Sequence, residues 1–529
     1  MGALWLPVHH ENGKRLVDKT ATVCRHCGTR MAYKHGNTSS MASHVKRHHG
    51  ESGVKKKDAQ QLLLPDAFKQ CFPAGSDRAI AITKSTDGWT SRATESYVTV
   101  TAHYITAEWE MKSPVLQTRP LYESHTGTNL AQVLTGAVAE WKLERPKNNI
   151  PVTTDNAKNQ VNAVKEAGLG PQIGCFAHVI NFASQRGLTV NKMDGLLGRI
   201  RKVVSFFHRS TTAAHVLKTK QEMLQLPTHK LIQDVPTRWN STYDMLERYL
   251  EQQAAIFSAL TDKALKKNIR DIVTLSDDDV KVAEEVLQVL KPLKMVTALL
   301  STASAPSVSM VLPLKTKIIQ SMAPSEEDST ITRDVKAAIK ADLNRRYTDP
   351  PDLQNYLHRS TALDPRFKSL SHLDPALRQR TYSDLTTEIV GRLGTEEQEG
   401  QATEPTGGGA RTSPPQKESA MEELFGETFA GKGGTGKKLF ADAIEEEVAY
   451  YQAASGIQVD GDPLNWWKIN ECRYPHVAMM ARCYLAVPGT SVPSERVFST
   501  AGDIVTAKRS TLSPGNADIL IFLKKNLKL

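Results

Sequence analysis

Four residues near the N-terminus have the types and spacing of metal ligands. Cys24-x2-Cys27 is followed by sixteen residues and then by His44-x4-His49. Two thiolates and two imidazoles supply the four tetrahedral ligands of a structural Zn²⁺. A tight turn places both sulfurs on one side. His44 and His49 lie little more than one helical turn apart, so both can face one ion. His48 is a rival fourth ligand, because His-x3-His also fits. Thr38 or Ser39 would cap the helix. Lys46 and Arg47 would point outward toward phosphate, which makes DNA the expected partner of this segment.

A second constellation is acidic. Asp87 lies in STDGWTSR, just after a short apolar strand. Asp155 lies in VTTDNAKN, at a strand-to-helix turn, and Glu495 lies in SVPSERVFSTAG. Carboxylates so placed can hold two Mg²⁺ ions, which clamp the attacking and leaving oxygens of a phosphoryl transfer. From spacing alone, such residues are more often surface or capping groups. Cys175 and His178, in CFAHVINF, read equally as an ordinary buried pair. Trp239 has the usual fate of a tryptophan, the core. Residues 431–438, GKGGTGKK, nearly form a phosphate-binding loop. Lys438 stands where Ser or Thr must hold Mg²⁺, and no strand precedes it, which excludes ATP binding there.

These residues need elements to carry them. Residues 79–83, 97–105 and, more weakly, 113–121 have the β-branched or alternating character of strands. Residues 128–143 read as a helix, 149–154 as a strand and 155–167 as a helix, which suggests a mixed α/β sheet. Helices dominate from about 190 to 390. In one of them Ser276 and Asp279 resemble a capping box before an apolar stripe, with Pro292 as an expected kink.

Composition is that of a globular protein: 40% hydrophobic, 23% charged, net charge +10 over 529 residues. The modest positive excess permits a nucleic-acid partner without requiring one. Six cysteines in so long a chain are no disulfide framework, which points to a reducing compartment. The first residues lack a secretory signal, and no apolar run is long enough to span a membrane. The expected organisation is multidomain α/β. Residues 11–54 form a small ββα-like zinc finger and 55–77 a basic linker. Residues 78–245 form the first part of the α/β domain, and 246–393 a helical insertion. Residues 394–438 are a Gly-, Glu-, Thr- and Pro-rich disordered linker. Residues 439–529 complete the α/β domain and end in a helical C-terminal region.

The segment CRHCGTRMAYKHGNTSSMASHVKRHHG resembles a BED-type zinc finger. That register favours His49 over His48. The family has aromatics before its first Cys, where this chain has only Trp5. DGWTSR, TTDNAKN, CFAHVINF, TRWNSTYDMLER and SERVFSTAG occur in the order found in hAT-type transposases and their domesticated BED-finger relatives. The resemblance runs over most of residues 78–529. It implies an RNase H-like fold whose Asp-Asp-Glu triad falls on Asp87, Asp155 and Glu495. Cys175 and His178 match the family's Cys-x2-His. Arg238 and Trp239 match its Arg-Trp pair, in which the Trp stacks on a DNA base. The C-terminal segment is expected to mediate dimerisation. Lys524, Lys525 and Lys528 would form the wet face of a helix whose apolar face meets a partner.

Full-length relatives carry a long helical segment between finger and first Asp. Here 37 residues separate His49 from Asp87. The short spacing fits a splice form, a gene-model error or genuine divergence alike, and a site that loses about a hundredfold in rate for roughly 1 Å of misplacement tolerates a rebuilt strand poorly. The expectation is therefore a nuclear, DNA-binding, homodimeric transcription regulator holding Zn²⁺ and derived from a hAT transposase. The rivals are an active transposase using Mg²⁺ and a SUMO-ligase-type interaction adaptor.

Overall fold

The computed structural model describes the backbone of residues 4–5, 8–11, 14–17, 21–24, 30–32, 81–90, 96–143, 150–265, 274–301, 307–347, 351–400, 440–505 and 512–527, with most side chains from residue 96 onward. The chain divides into two compact units, Met1–Ser76 and Asp77–Leu529.

In the first unit the strands are β1 (Leu4–Trp5), β2 (Val8–Glu11), β3 (Lys14–Val17), β4 (Ala21–Cys24) and β5 (Arg30–Ala32). β2 and β3 pair as a hairpin. β4 lies between β1 and β5 in an antiparallel sheet. Leu4 pairs with Cys24 and Trp5 with Val23. The one upstream aromatic of the sequence is thus on the strand beside the first candidate zinc ligand. Cys27, His44, Lys46, Arg47 and His49 lie outside the described residues, as do the basic linker 55–77 and Lys528.

The second unit is mostly helical, built around one mixed sheet. Its strands are β6 (Ala81–Thr90), β7 (Ser96–Ile105), β8 (Met111–Lys112), β9 (Val115–Pro120), β10 (Val152–Thr154) and β11 (Gln172–Gly174). The main order is β9-β7-β6-β10-β11. β6, β7 and β9 are antiparallel neighbours, whereas β10 runs parallel to both β6 and β11. β7, SYVTVTAHYI, is buried along nearly its whole length. Its run of β-branched and aromatic residues suits a central strand covered on both faces.

The helices are α1 (Gly127–Glu140), α2 (Lys158–Glu166), α3 (Phe176–Leu188), α4 (Asn191–Arg209), α5 (Thr211–Met223), α6 (Trp239–Glu251), α7 (Gln253–Leu260), α8 (Asp277–Leu300), α9 (Val311–Ser321), α10 (Thr330–Arg345), α11 (Pro351–Ala362), α12 (Pro375–Gly400), α13 (Phe440–Ala453), α14 (Pro463–Asn470), α15 (Pro475–Leu485), α16 (Val492–Ile504) and α17 (Pro514–Asn526). One apolar core runs from Ile105 to Val487 and joins α3 to α15. Ser276 and Asp279 do form a capping box, and α8 continues through Pro292 to Leu300.

The structure departs from several expectations. Asp87 lies within β6 and not after a strand. Between Ser85 and Trp89 the pairing with β7 shifts register, so Asp87 falls in the irregular stretch. The boundary expected between 245 and 246 cuts α6, where Met245 and Leu246 are both buried in the shared core. α12 reaches Gly400, into the stretch read as linker from 394. The local Glu-Glu-Gln-Glu run favours helix enough to extend it. β11 was too short to read from pattern. α17 turns its apolar face inward. Ile521 joins Val115, Val497, Ala501 and Ile504, and Phe522 stacks on Trp141 with ring centroids 5.9 Å apart. These two residues meet the chain's own sheet and Trp141, whereas Leu520 of the same helix is exposed. Lys524 and Lys525 are exposed, as expected.

Among the described residues no helix is long and apolar enough to cross a membrane.

Candidate functional site

Three chain segments, far apart in sequence, meet at the carboxyl ends of β10 and β11. Asp155 follows the last residue of β10, and Cys175 follows the last residue of β11. The two turns are tied together: Cys175 N–H donates to Thr154 O at 2.8 Å, and Asn156 Nδ2 donates to Cys175 O at 3.2 Å. Asn156 comes so close over Gly174 that a Cβ there would collide with its amide. Glycine is needed at that position for this approach. The third segment is 488–495. Thr153 Oγ1 donates to Pro488 O at 2.8 Å, and Phe176 N–H donates to Gly489 O at 3.0 Å.

This stitching delivers α16 to the site. Cys175 is the residue before α3, and His178 follows one turn later, so both lie on one side of its start. Glu495 lies in the first turn of α16. The Cys175 Sγ, one His178 ring nitrogen and one Glu495 oxygen all lie within 4.8 Å of one another. His178 Nδ1 is 3.9 Å from Glu495 Oε1. Cys175 is fully buried, whereas the His178 and Glu495 side chains are 24% and 32% exposed. Ser491 holds two of the three. Its N–H donates to Cys175 Sγ at 3.2 Å, and its Oγ donates to Glu495 Oε1 at 2.6 Å. Ser491 stands in the same SVPSER string as Glu495, but only contact across more than 300 residues reveals its role.

A buried polar chain supports the same helix. His103 exchanges hydrogen bonds with Ser113 Oγ at 2.9 Å and Thr101 Oγ1 at 3.0 Å, and Thr101 meets Ser494 Oγ at 3.1 Å. Complete burial pushes the His103 pKa down to about 3, so its ring is neutral at ordinary pH.

The acidic residues divide. Asp155 Oδ1 accepts from Ala157 N–H at 3.1 Å, an Asx-type turn that leads into α2. It is not part of the Cys175–His178–Glu495 set. Asp87 is on the neighbouring strand, with Val152 paired to Ile82 and Thr153 to Thr83. Asp155 lies two residues beyond the last of these pairs and Asp87 four, so both follow the paired ends of parallel strands. α16 packs against β6 and β7. The Asp-Asp-Glu residues therefore belong to elements that converge, while the Glu495 side chain is held beside Cys175 and His178.

Arg238 and Trp239 part company. Arg238 is exposed just ahead of α6, but Trp239 is 2% exposed and belongs to the main core. Its backbone N–H donates to Asn181 Oδ1 at 3.3 Å. An indole packed this way stabilises α3 against α6. It could stack on a DNA base only by leaving the core, at a cost of about 3–5 kcal/mol if its packing were lost entirely.

The order of a central antiparallel ribbon followed by two parallel strands, with acidic residues within β6, after β10 and on a late helix, is that of an RNase-like α/β protein. Comparison with known families agrees. Residues 85–168 match the model of the ZBED1 RNase-like domain, and residues 173–289 match that of the ZBED1 RNase-like helical domain. Residues 446–527 match the hAT family C-terminal dimerisation region. Zinc finger BED domain-containing protein 4 of Homo sapiens is 27% identical over 455 residues, covering 83% of this chain and 37% of that protein. Zinc finger BED domain-containing protein RICESLEEPER 1 of Oryza sativa is 24% identical over 473 residues, covering 82% and 63%. A protein of Talaromyces stipitatus named "Putative transcriptional regulator tpeD" is 24% identical over 523 residues, covering 90% and 56%. The chain thus spans between about a third and two thirds of the length of these relatives. Together these matches support a hAT-transposase-derived BED zinc finger protein.

Proposed function

We propose that the chain is a nuclear, sequence-specific DNA-binding regulator that works as a dimer and does not cut DNA. The observation that carries the DNA-binding part is the Cys24-x2-Cys27, His44-x4-His49 ligand set, within a compact unit of its own. One bound Zn²⁺ would order the helix, with Lys46 and Arg47 as the first phosphate and base contacts. Arg238, exposed on the second unit, is a candidate for a further phosphate contact. The hAT dimerisation region supports pairing of two chains, so that two fingers act at once. Pairing raises affinity through effective concentration without any new contact. Ile521 and Phe522 of α17 are buried within the chain, so a dimer contact would use other apolar residues, and Leu520 of the same helix is exposed. Tyr450 and Ile469 are exposed apolar groups in the same region. The names of the fungal and human relatives support regulation and zinc, and a regulator of transcription would act in the nucleus.

The inactive reading rests on Glu495, which is hydrogen-bonded to Ser491 and sits beside Cys175 and His178. A second reading, an active transposase, has one observation in its favour. Asp87 and Asp155 lie beyond the paired ends of adjacent parallel strands, where two Mg²⁺ ions could be shared.

The test is DNA binding by purified full-length protein and by Cys27→Ser. The expected result is zinc-dependent binding that is lost in Cys27→Ser, with the dimer unchanged by light scattering. Undiminished binding by Cys27→Ser would remove the finger as the reader of DNA.

A further inference from the structure

We infer that Cys175, His178 and Glu495 form a second site for a borderline-soft divalent metal, Zn²⁺ by chemistry, distinct from the finger. The inference does not depend on the DNA-binding reading, because it concerns only side chains of the second unit.

The donor set carries it. One sulfur, one imidazole nitrogen and one carboxylate oxygen are a mixture that suits Zn²⁺ and is foreign to Mg²⁺, which takes hard oxygen donors. Their mutual separations, all within 4.8 Å, come close to those of atoms sharing one ion about 2.0–2.3 Å from each. Closing the site needs only side-chain rotation of His178 and Glu495, both partly exposed. Cys175 is the fixed corner. Its backbone is held at both ends, N–H to Thr154 and C=O to Asn156.

The surroundings are those of a metal site in a second respect. Ligands at such sites are oriented by hydrogen bonds from an outer ring of groups. Ser491 provides two at once, an N–H to the sulfur and a hydroxyl to the carboxylate. The partial exposure of His178 and Glu495 leaves an entry path and room for water as the fourth ligand. Three protein ligands and one open position is the pattern of zinc sites that exchange a ligand. Binding would displace the Cys175 thiol proton to solvent.

The consequence concerns Glu495. A carboxylate bound to this ion is withdrawn from Asp87 and Asp155. The same ion would clamp the start of α3 to the start of α16, fastening the C-terminal segment to the sheet.

Co²⁺ binding to the full-length Cys24→Ser/Cys27→Ser protein tests the inference, because Co²⁺ reports thiolate ligation by a charge-transfer band and the finger no longer supplies one. The expected result is one equivalent bound with that band, displaced by Zn²⁺. Cys175→Ser in the same background should abolish the band. Ser491→Ala should weaken binding by about 10–100-fold while the thiolate band persists at saturation. Glu495→Gln should weaken it with the band retained. No bound equivalent in the finger-disabled protein would overturn the inference, as would a band unchanged by Cys175→Ser. Circular dichroism of each variant separates loss of ligand from loss of fold. Failure here leaves finger-dependent DNA binding untouched, so the two proposals fall separately.

Discussion

The C-terminal segment meets the sheet in two places, and it does so by opposite means. At the β10–β11 end it brings Glu495 next to Cys175 and His178, partly open to water at His178 and Glu495 and tied through the hydrogen bonds of Ser491. At the β9 edge it closes the sheet. Asn526 donates to Val115 O at 2.7 Å and accepts from Val115 N–H at 2.9 Å, and Asp518 accepts from Thr118 N–H at 2.6 Å. Phe522 and Ile521 add an apolar seal. An edge strand with free backbone groups invites pairing with other chains. Here two side chains of α17 occupy those groups. The difference teaches where the segment is structural and where it is chemical. α17 holds the fold, whereas the start of α16 presents ligands.

Breaking the seal should have the largest effect. Phe522→Ala removes a 3% exposed ring stacked on Trp141 and should cost about 3–5 kcal/mol in urea unfolding. Co²⁺ binding at the other end should survive wherever the protein remains folded. Loss of the metal site in a folded Phe522→Ala protein would show that the two places are not separable.

Asp518 sharpens the contrast through pH. Burial raises its pKa from the ordinary 3.8 to about 6. A raised folded-state pKa means that the native state binds the proton more tightly than the unfolded chain. Its contribution is therefore full below about pH 4 and is lost as pH rises through about 6. Two units correspond to about 3 kcal/mol at neutral pH. Asp518→Asn keeps an oxygen for the Thr118 N–H and carries no charge. It should be more stable than the parent at pH 7, by up to that amount, and no more stable at pH 4. An equal difference at both pH values would refute the assignment.

Smaller effects follow. Asn526→Ala leaves Val115 N–H and C=O without their side-chain partner and should cost about 2 kcal/mol. Ser491→Ala loses a partly exposed hydrogen bond and should cost about 1 kcal/mol, yet it should affect metal affinity more than any edge variant. A reversed order of these variants in metal binding would erase the distinction between the two places.

Much of this was legible in the sequence, and unevenly so. β7 announced itself through alternating β-formers, and α8 through its Ser276–Asp279 box, because both signals are local. Cys175, His178 and Glu495 were each picked out by motif. Their meeting was not legible, because it depends on contacts spanning 488–495 and the ends of β10 and β11. β6 was read too short, since DGWT lacks strand character and is carried into the sheet by β7. Trp239 was resolved by packing: it is buried in the main core at the start of α6, which no motif could show. The apolar stripe of α17 was visible, but a stripe does not say whether its cover lies in the same chain or another.

The central claim is that this chain keeps the transposase architecture as a DNA-binding body without the reaction. A DNA cleavage assay on the purified protein with Mg²⁺ or Mn²⁺, alongside Asp155→Ala, tests it most directly. The substrate would carry terminal inverted repeats found next to the gene. The predicted result is zinc-dependent binding with no cleavage by either protein. Cleavage by the parent that disappears in Asp155→Ala would contradict the claim and make this a working transposase.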